Sequence, residues 1–255
     1  MPYKISILGT GNVAWHLAHA LDAARHTIVQ VWGRDMQKAK QLAQPFNAQP
    51  ISILEQLEDD IDVLLLCISD DAIVKTAEYL SNKPYLIAHT AGAMDMELLK
   101  NTSQFYGVFY PLQTLSVGKK VNFFDVPLCI EGNNKAAESQ LMALGNTISN
   151  SVQIISSEKR KYLHLAAVFA NNFTNALYAE AASILEQHDL SFNLLRPLIQ
   201  ETAQKVQSML PQQAQTGPAK RHDDNTLQKH LELLPKGSDK EKIYRLLTEI
   251  IKSKF

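Results

Sequence analysis

Short apolar runs recur through the first 155 residues, and amphipathic stretches separate several of them. The runs YKISIL, TIVQVWG, DVLLLCI, YLIAHT, FYGVFY, VPLCIEG and VQIIS have the length and composition of strands. Between them, Met36 to Leu42, Ile73 to Leu80 and Lys135 to Ile148 space their apolar residues as helices do. VLLLCI is apolar at every position, which predicts a strand covered on both faces and hence a mainly parallel sheet. The fold class expected is α/β, a doubly wound sheet domain. From about Ser157 the strand signals stop. Glu158 to His188, Asn193 to Leu210, Asn225 to Leu234 and Lys240 to Lys252 read as helices, divided by Pro211, Gly217-Pro218 and Pro235-Lys236-Gly237. The expected organisation is a sheet domain over 1–155 and an all-helical domain over 156–255, with no low-complexity linker and no internal repeat.

The passage from the first strand to the first helix is interrupted by Gly9 and Gly11. Gly9-Thr10-Gly11-Asn12-Val13-Ala14 fits G-x-G-x-x-A. In that pattern the first glycine makes the tight turn, the second lets backbone amides approach a pyrophosphate, and the alanine allows close helix-on-strand packing. The pattern follows a strand, opens a helix and begins a run of alternating elements, so it predicts dinucleotide binding, with the anion at the helix start. TIVQVWG ends at Gly33-Arg34-Asp35, where the adenosine ribose of such a cofactor lies. Arg34 comes first and favours NADP through its 2′-phosphate, whereas Asp35 facing the ribose would favour NAD. A third reading leaves Arg34 in solvent and makes Asp35 the cap of the next helix.

Composition narrows the function classes. A net charge of −1 without basic blocks removes the usual footprint of nucleic-acid binding. No apolar stretch is long enough to cross a bilayer, and the N-terminal apolar run breaks too soon for a signal peptide, so no membrane role and a cytoplasmic location are expected. Cys67 and Cys129 lie in apolar runs without His, Cys or acidic neighbours at ligand spacing; they read as buried small hydrophobes, and no metal is expected.

Gly9 to Ala14, the Gly33-Arg34 strand end, CISDDAI and IAHTAGA resemble the NADP-binding domain of the pyrroline-5-carboxylate reductase and deazaflavin-dependent NADP oxidoreductase group. YPLQTLS, HLAAVFANNFTNAL and TGPAKRHDDNTLQKHL resemble proteins that join such a Rossmann-like domain to domain of unknown function 2520. The resemblance spans nearly the whole chain. It implies a Rossmann-like fold and an NADP-class cofactor over Gly9, Thr10, Gly11, Asn12 and Val13, with the turn at Ser69-Asp70 lining it. That family has no established reaction, so the resemblance leaves the substrate open.

Several constellations are candidates for chemistry. Ser69 and Asp70 follow VLLLCI, at the sheet edge where ligands of doubly wound folds bind, though either also reads as a helix cap. His89 closes YLIAH and faces either the ligand or a loop carbonyl. In the helix beginning near Glu158, His164, Asn171, Asn175 and Tyr178 fall on one stripe at 100° per residue, while Ala166, Phe169, Phe173 and Leu177 fall opposite, as a packing face would. Asn172 lies at the stripe's margin. Asn and His are mediocre helix formers that gain little from facing water, so the stripe reads either as a cleft or as a buried hydrogen-bond network. Related β-hydroxyacid dehydrogenases place lysine with asparagine on the corresponding helix; here Lys161 lies off the stripe and His164 takes the inward direction. Arg221 and His230, around the turn at Gly217-Pro218, are candidates for holding a substrate, or an ordinary salt bridge.

These readings predict an NADP-dependent oxidoreductase that moves a hydride to or from a C–O or C–N bond of a small polar substrate. His164 or His89 relays the proton, Asn171, Asn172 and Asn175 orient the substrate, and the late helices form a homodimer. The rivals are a non-catalytic NADP-binding regulatory protein, a specific imine reductase, and transfer to a deazaflavin.

Overall fold

The computed structural model describes residues 2–254. Eight strands form one sheet: β1 (Lys4–Leu8), β2 (Thr27–Trp32), β3 (Gln49–Ile51), β4 (Val63–Leu66), β5 (Leu86–His89), β6 (Tyr106–Pro111), β7 (Leu128–Gly132) and β8 (Val152–Ile154). Their order is β3-β2-β1-β4-β5-β6-β7-β8. Helices α1 (Asn12–Ala23), α2 (Met36–Ala43), α3 (Asp70–Tyr79) and α4 (Lys135–Gly145) connect them. The pairs from β3 through β6 are parallel, β7 runs antiparallel to β6, and β8 is again parallel to β7. The link from β6 to β7 returns the chain alongside the strand it has just left, whereas α4 carries it across to a parallel β8.

All four residues of β4 are buried. Val63 and Leu65 enter one core with α1 and α4, and Leu64 and Leu66 enter the other with Ile73 and Leu80 around α3. Alternation across a strand thus feeds two cores, as VLLL predicts for a sheet covered on both faces. The strand that the apolar pattern does not reveal is β3. It is three residues long, contains Pro50, and sits at the sheet edge, where a missing amide donor is tolerated.

The helical part comprises α5 (Ser157–Ala167), a π-helical turn (Val168–Phe173), α6 (Thr174–Glu186), α7 (Arg196–Ser208), the short α8 (Pro211–Ala214), α9 (Asp224–Glu232) and α10 (Asp239–Lys254). The chain divides into two compact units, one extending through Asn172 and the other beginning at Phe173. Helix α5 therefore belongs with the sheet. The π turn changes the helical phase, because each of its bonds spans five residues. No described residue of the π turn or α6 is buried, so the expected packing face is left uncovered within the chain: Phe169 is 62% exposed, Phe173 49% and Leu177 39%.

Candidate functional site

The sheet order reverses between β1 and β4, so a crevice opens beyond their carboxyl ends. Gly9 leaves β1 with φ +127°, and a Cβ there would lie 2.1 Å from the Cys67 carbonyl oxygen. Only glycine makes this turn without strain. A Cβ at Gly11, by contrast, would meet nothing within 4 Å, which leaves the start of α1 open to a ligand. The first amides of α1 have no acceptor within the helix, and they combine with its dipole to favour an anion there.

A cavity of about 230 Å³ adjoins this turn and is lined in part by Gly9, Thr10, Arg34, Asp35, Lys38 and Ser69. Asp35 caps α2, accepting from the Gln37 amide at 2.9 Å and the Lys38 amide at 3.4 Å. Arg34 is exposed, and neither it nor Lys38 has an ion-pair partner among the described residues. Two unpaired cations lining one cavity, one just before α2 and one in its first turn, suit a phosphate, while the carboxylate between them is occupied with capping. Lys38 was not singled out from the sequence. Ser69 stands at the N-cap position of α3 without making a side-chain capping bond, so its hydroxyl remains available to the cavity. Asp70 is exposed in the first turn of α3, where its charge complements the helix dipole. Asn12 accepts from the Val117 amide at 3.1 Å, and Val13 packs against the core.

A second cavity, of about 600 Å³, lies beyond the end of β6. Because β1, β4, β5 and β6 are parallel, it opens on the same edge of the sheet as the first. His164, Asn171 and Asn172 line it together with Tyr110, Gln113 and Thr114. The Tyr110 hydroxyl is 3.0 Å from His164 Nδ1. Gly92, in the loop after β5, makes room for this pair: a Cβ there would lie 2.5 Å from His164 Nδ1 and 2.9 Å from Tyr110 Cζ. Burial, and less strongly the neighbouring Cys129, raises the Tyr110 pKa above that of a free phenol, with Arg160 opposing them. Tyr110 thus stays protonated and can donate. Sequence reasoning missed Tyr110, Gln113 and Thr114, although all three lie in the YPLQTLS stretch.

Arg160, fully buried, fixes α5 against the sheet. Its Nη1 donates to Glu131 Oε2 at 2.9 Å, and its Nη2 donates to the Met94 carbonyl and to Ser157 Oγ at 3.0 Å. Ser157 Oγ in turn donates to Glu131 Oε2 at 2.5 Å and accepts from the Met96 amide at 3.0 Å. Arg160 and His164 are four residues apart, so the buried anchor places His164 one turn further along the same helix face. Lys161 instead reaches Asp95 at 3.4 Å across an exposed pair.

Three of the remaining candidates belong to the helical unit. Asn175 belongs to the helical unit, and the π turn breaks its periodic relation to His164. His230 bonds Tyr244 at 2.8 Å in that unit, and Arg221 is exposed there. No described helix is long and apolar enough to cross a membrane. His89 is fully buried, its Nδ1 accepting from the Ala91 amide at 3.2 Å and its Nε2 unpartnered. That removes it from direct contact with solvent and corrects its reading as a ligand-facing relay.

Burial first, and then the charge of Arg160, hold the His89 pKa down at about 4. An unfolded histidine takes up its proton near pH 6.5, so this contribution to stability is fully present above that pH and is lost as pH falls towards 4. The expected slope approaches about 1.4 kcal/mol per pH unit. His26, also lowered by burial, adds the same sign. Urea unfolding from pH 7 to 4 checks this: His89→Gln should flatten the dependence, and parallel curves for variant and parent would remove His89 from the explanation.

Comparisons with known proteins agree with this architecture. Residues 4–92 match the family described as NADP oxidoreductase coenzyme F420-dependent, and residues 126–251 match a domain of unknown function, DUF2520. A Bacteroides fragilis protein whose crystal structure bears the name "putative NADP oxidoreductase" is 38% identical, with a TM-score of 0.92 over 99% of this chain and 98% of that one. The fold is shared with 1-pyrroline-5-carboxylate reductase from Streptococcus pyogenes, 14% identical, with a TM-score of 0.67 over 99% of both chains. It is also shared with a reductive aminase from Aspergillus terreus in complex with NADPH and ethyl levulinate, 15% identical, with a TM-score of 0.62 over 91% of this chain and 78% of that one. No curated protein matches the chain.

Proposed function

From the premise that this chain belongs to the family joining an NADP-oxidoreductase domain of the coenzyme F420-dependent type to DUF2520, we propose that it reduces a C=O or C=N bond of a small polar substrate, with NADPH as donor. The observation that carries this reading is the Tyr110–His164 pair, 3.0 Å apart, in a cavity on the same sheet edge as the glycine turn. The turn at Gly9 and Gly11 holds the pyrophosphate, and Arg34 with Lys38 holds the 2′-phosphate. NADPH, when bound, supplies the hydride. Tyr110 donates its one proton to the substrate oxygen or nitrogen, and His164, donating from Nδ1–H, reprotonates the phenolate that is left and then recovers a proton from solvent. Asn171, Asn172, Gln113 and Thr114 orient the substrate through hydrogen bonds. The boundary of the cofactor-binding part is placed near residue 155, with the chain beyond it completing the substrate side and assembling the dimer.

Cofactor choice tests this reading. NADPH is expected to bind more tightly than NADH, and Arg34→Ala to weaken NADPH by roughly 1.5–3 kcal/mol while leaving NADH alone. Calorimetric titration measures both; equal affinities in the parent protein overturn the assignment of the phosphate site. The homodimer rests on exposed apolar residues of the helical unit, among them Leu233 at 81%, Leu246 at 62% and Leu198 at 62%. Light scattering at micromolar concentration should return twice the chain mass of 28.5 kDa. A single chain's mass would remove the dimer.

A further inference from the structure

A third cavity in the sheet unit, of about 380 Å³, shares no lining residue with the two already described. Its size is that of small-molecule sites. The outer face of α1 supplies one wall, with Trp15, His19, Ala20 and Ala23, and the segment 120–124 supplies the opposite wall. Ala24 and Ile148 add apolar lining, His16 and Thr147 add polar atoms, and Phe124 is 50% exposed. Lys120 lines the cavity and has no ion-pair partner among the described residues; no carboxylate lines it. The nearby acid Asp125 is engaged by Asn122 Nδ2 at 2.9 Å. Apolar and aromatic walls with one uncompensated cation are complementary to a flat apolar body bearing a single negative charge.

We propose that this cavity is a second ligand site, separate from the cofactor and substrate cavities, for a small aromatic carboxylate. Its connections give the site a consequence. The segment that forms its outer wall continues directly from the loop that α1 already grips: His16 Nε2 is 3.0 Å from the Ser116 carbonyl oxygen, and Asn12 accepts from the Val117 amide at 3.1 Å. Gln113 and Thr114, a few residues earlier in the same loop, line the 600 Å³ cavity. A ligand wedged between α1 and residues 120–124 therefore holds the far end of a loop whose near end shapes the substrate cavity.

The test is calorimetric titration of the full-length protein with 2-naphthoate, with the neutral analogue 2-naphthalenemethanol as comparison. Saturable binding of one naphthoate per chain is expected, with at least a tenfold loss in Lys120→Ala and in Ala23→Leu, which fills the cavity from an exposed helix position. Arg34→Ala should leave naphthoate binding unchanged, and amide exchange over 116–124 should slow in the complex. The proposal is overturned by absence of saturable binding, by equal affinity for the neutral analogue, or by dependence on Arg34 in place of Lys120. The last outcome would put the probe in the cofactor cavity.

Discussion

Replacing Arg160 with alanine is expected to destabilise the sheet unit by roughly 3–5 kcal/mol, because it leaves the largely buried carboxylate of Glu131 and the buried Ser157 without their cation. The Glu131 side chain is 16% exposed and the Arg160 side chain fully buried, so water cannot replace the lost partner in full. Urea unfolding followed by circular dichroism measures the loss. The pair Arg160→Met with Glu131→Gln should recover much of it, since removing both charges also removes their desolvation. A loss below about 1 kcal/mol in the alanine variant would show that the network does not hold α5. Activity should fall as well, because the helix that carries His164 is fixed to the sheet one turn before it.

The second large effect falls on chemistry. Tyr110→Phe is expected to lower kcat by about 10²- to 10⁴-fold, the usual contribution of a positioned acid, with NADPH affinity unchanged. Removing one hydroxyl costs only about 0.5–1.5 kcal/mol of stability, so the variant should remain folded. His164→Ala should depress turnover too, since it removes the group that returns the proton, again with little effect on thermal stability. The two substitutions act on one relay, so the double variant should be little worse than Tyr110→Phe alone. Additive losses would separate the residues into independent roles, and undiminished kcat in Tyr110→Phe would exclude the phenol as the acid.

What the sequence discloses follows from how local each requirement is. Gly9 is legible because its positive φ belongs to one strand-to-helix turn, whereas the crowding by Cys67 comes from the end of the neighbouring β4 and shows only in the fold. The two-faced burial of β4 is legible because VLLL has no polar position to spare. Arg160 is not: in the run Glu158-Lys159-Arg160-Lys161 it reads as one more solvated charge, and only the tertiary fold brings Glu131 beneath it. Asp35 reads equally as a ribose ligand or a cap until its contacts to the Gln37 and Lys38 amides are seen. The stripe on the helix after Ser157 is legible as far as Asn172. A constant 100° step already fails from Val168, where the π turn begins, so the spacing does not carry the phase on to Phe173 and Asn175, although Asn171 and Asn172 share a cavity with His164. Tyr110 lies within an apolar strand, FYGVFY, where its hydroxyl leaves no mark on the hydrophobic pattern.

Deuterium transfer tests the central claim most directly. The protein is incubated with NADPH deuterated at C4, separately on each face, together with a small-metabolite extract or a panel of carbonyl and imine compounds, and the products are read by mass spectrometry. One product carrying a single deuterium at carbon, formed from one face of the nicotinamide and lost in Tyr110→Phe, is the expected result. NADPH that binds stoichiometrically but passes no deuterium to any compound would contradict the account and leave a nucleotide-binding protein without this chemistry.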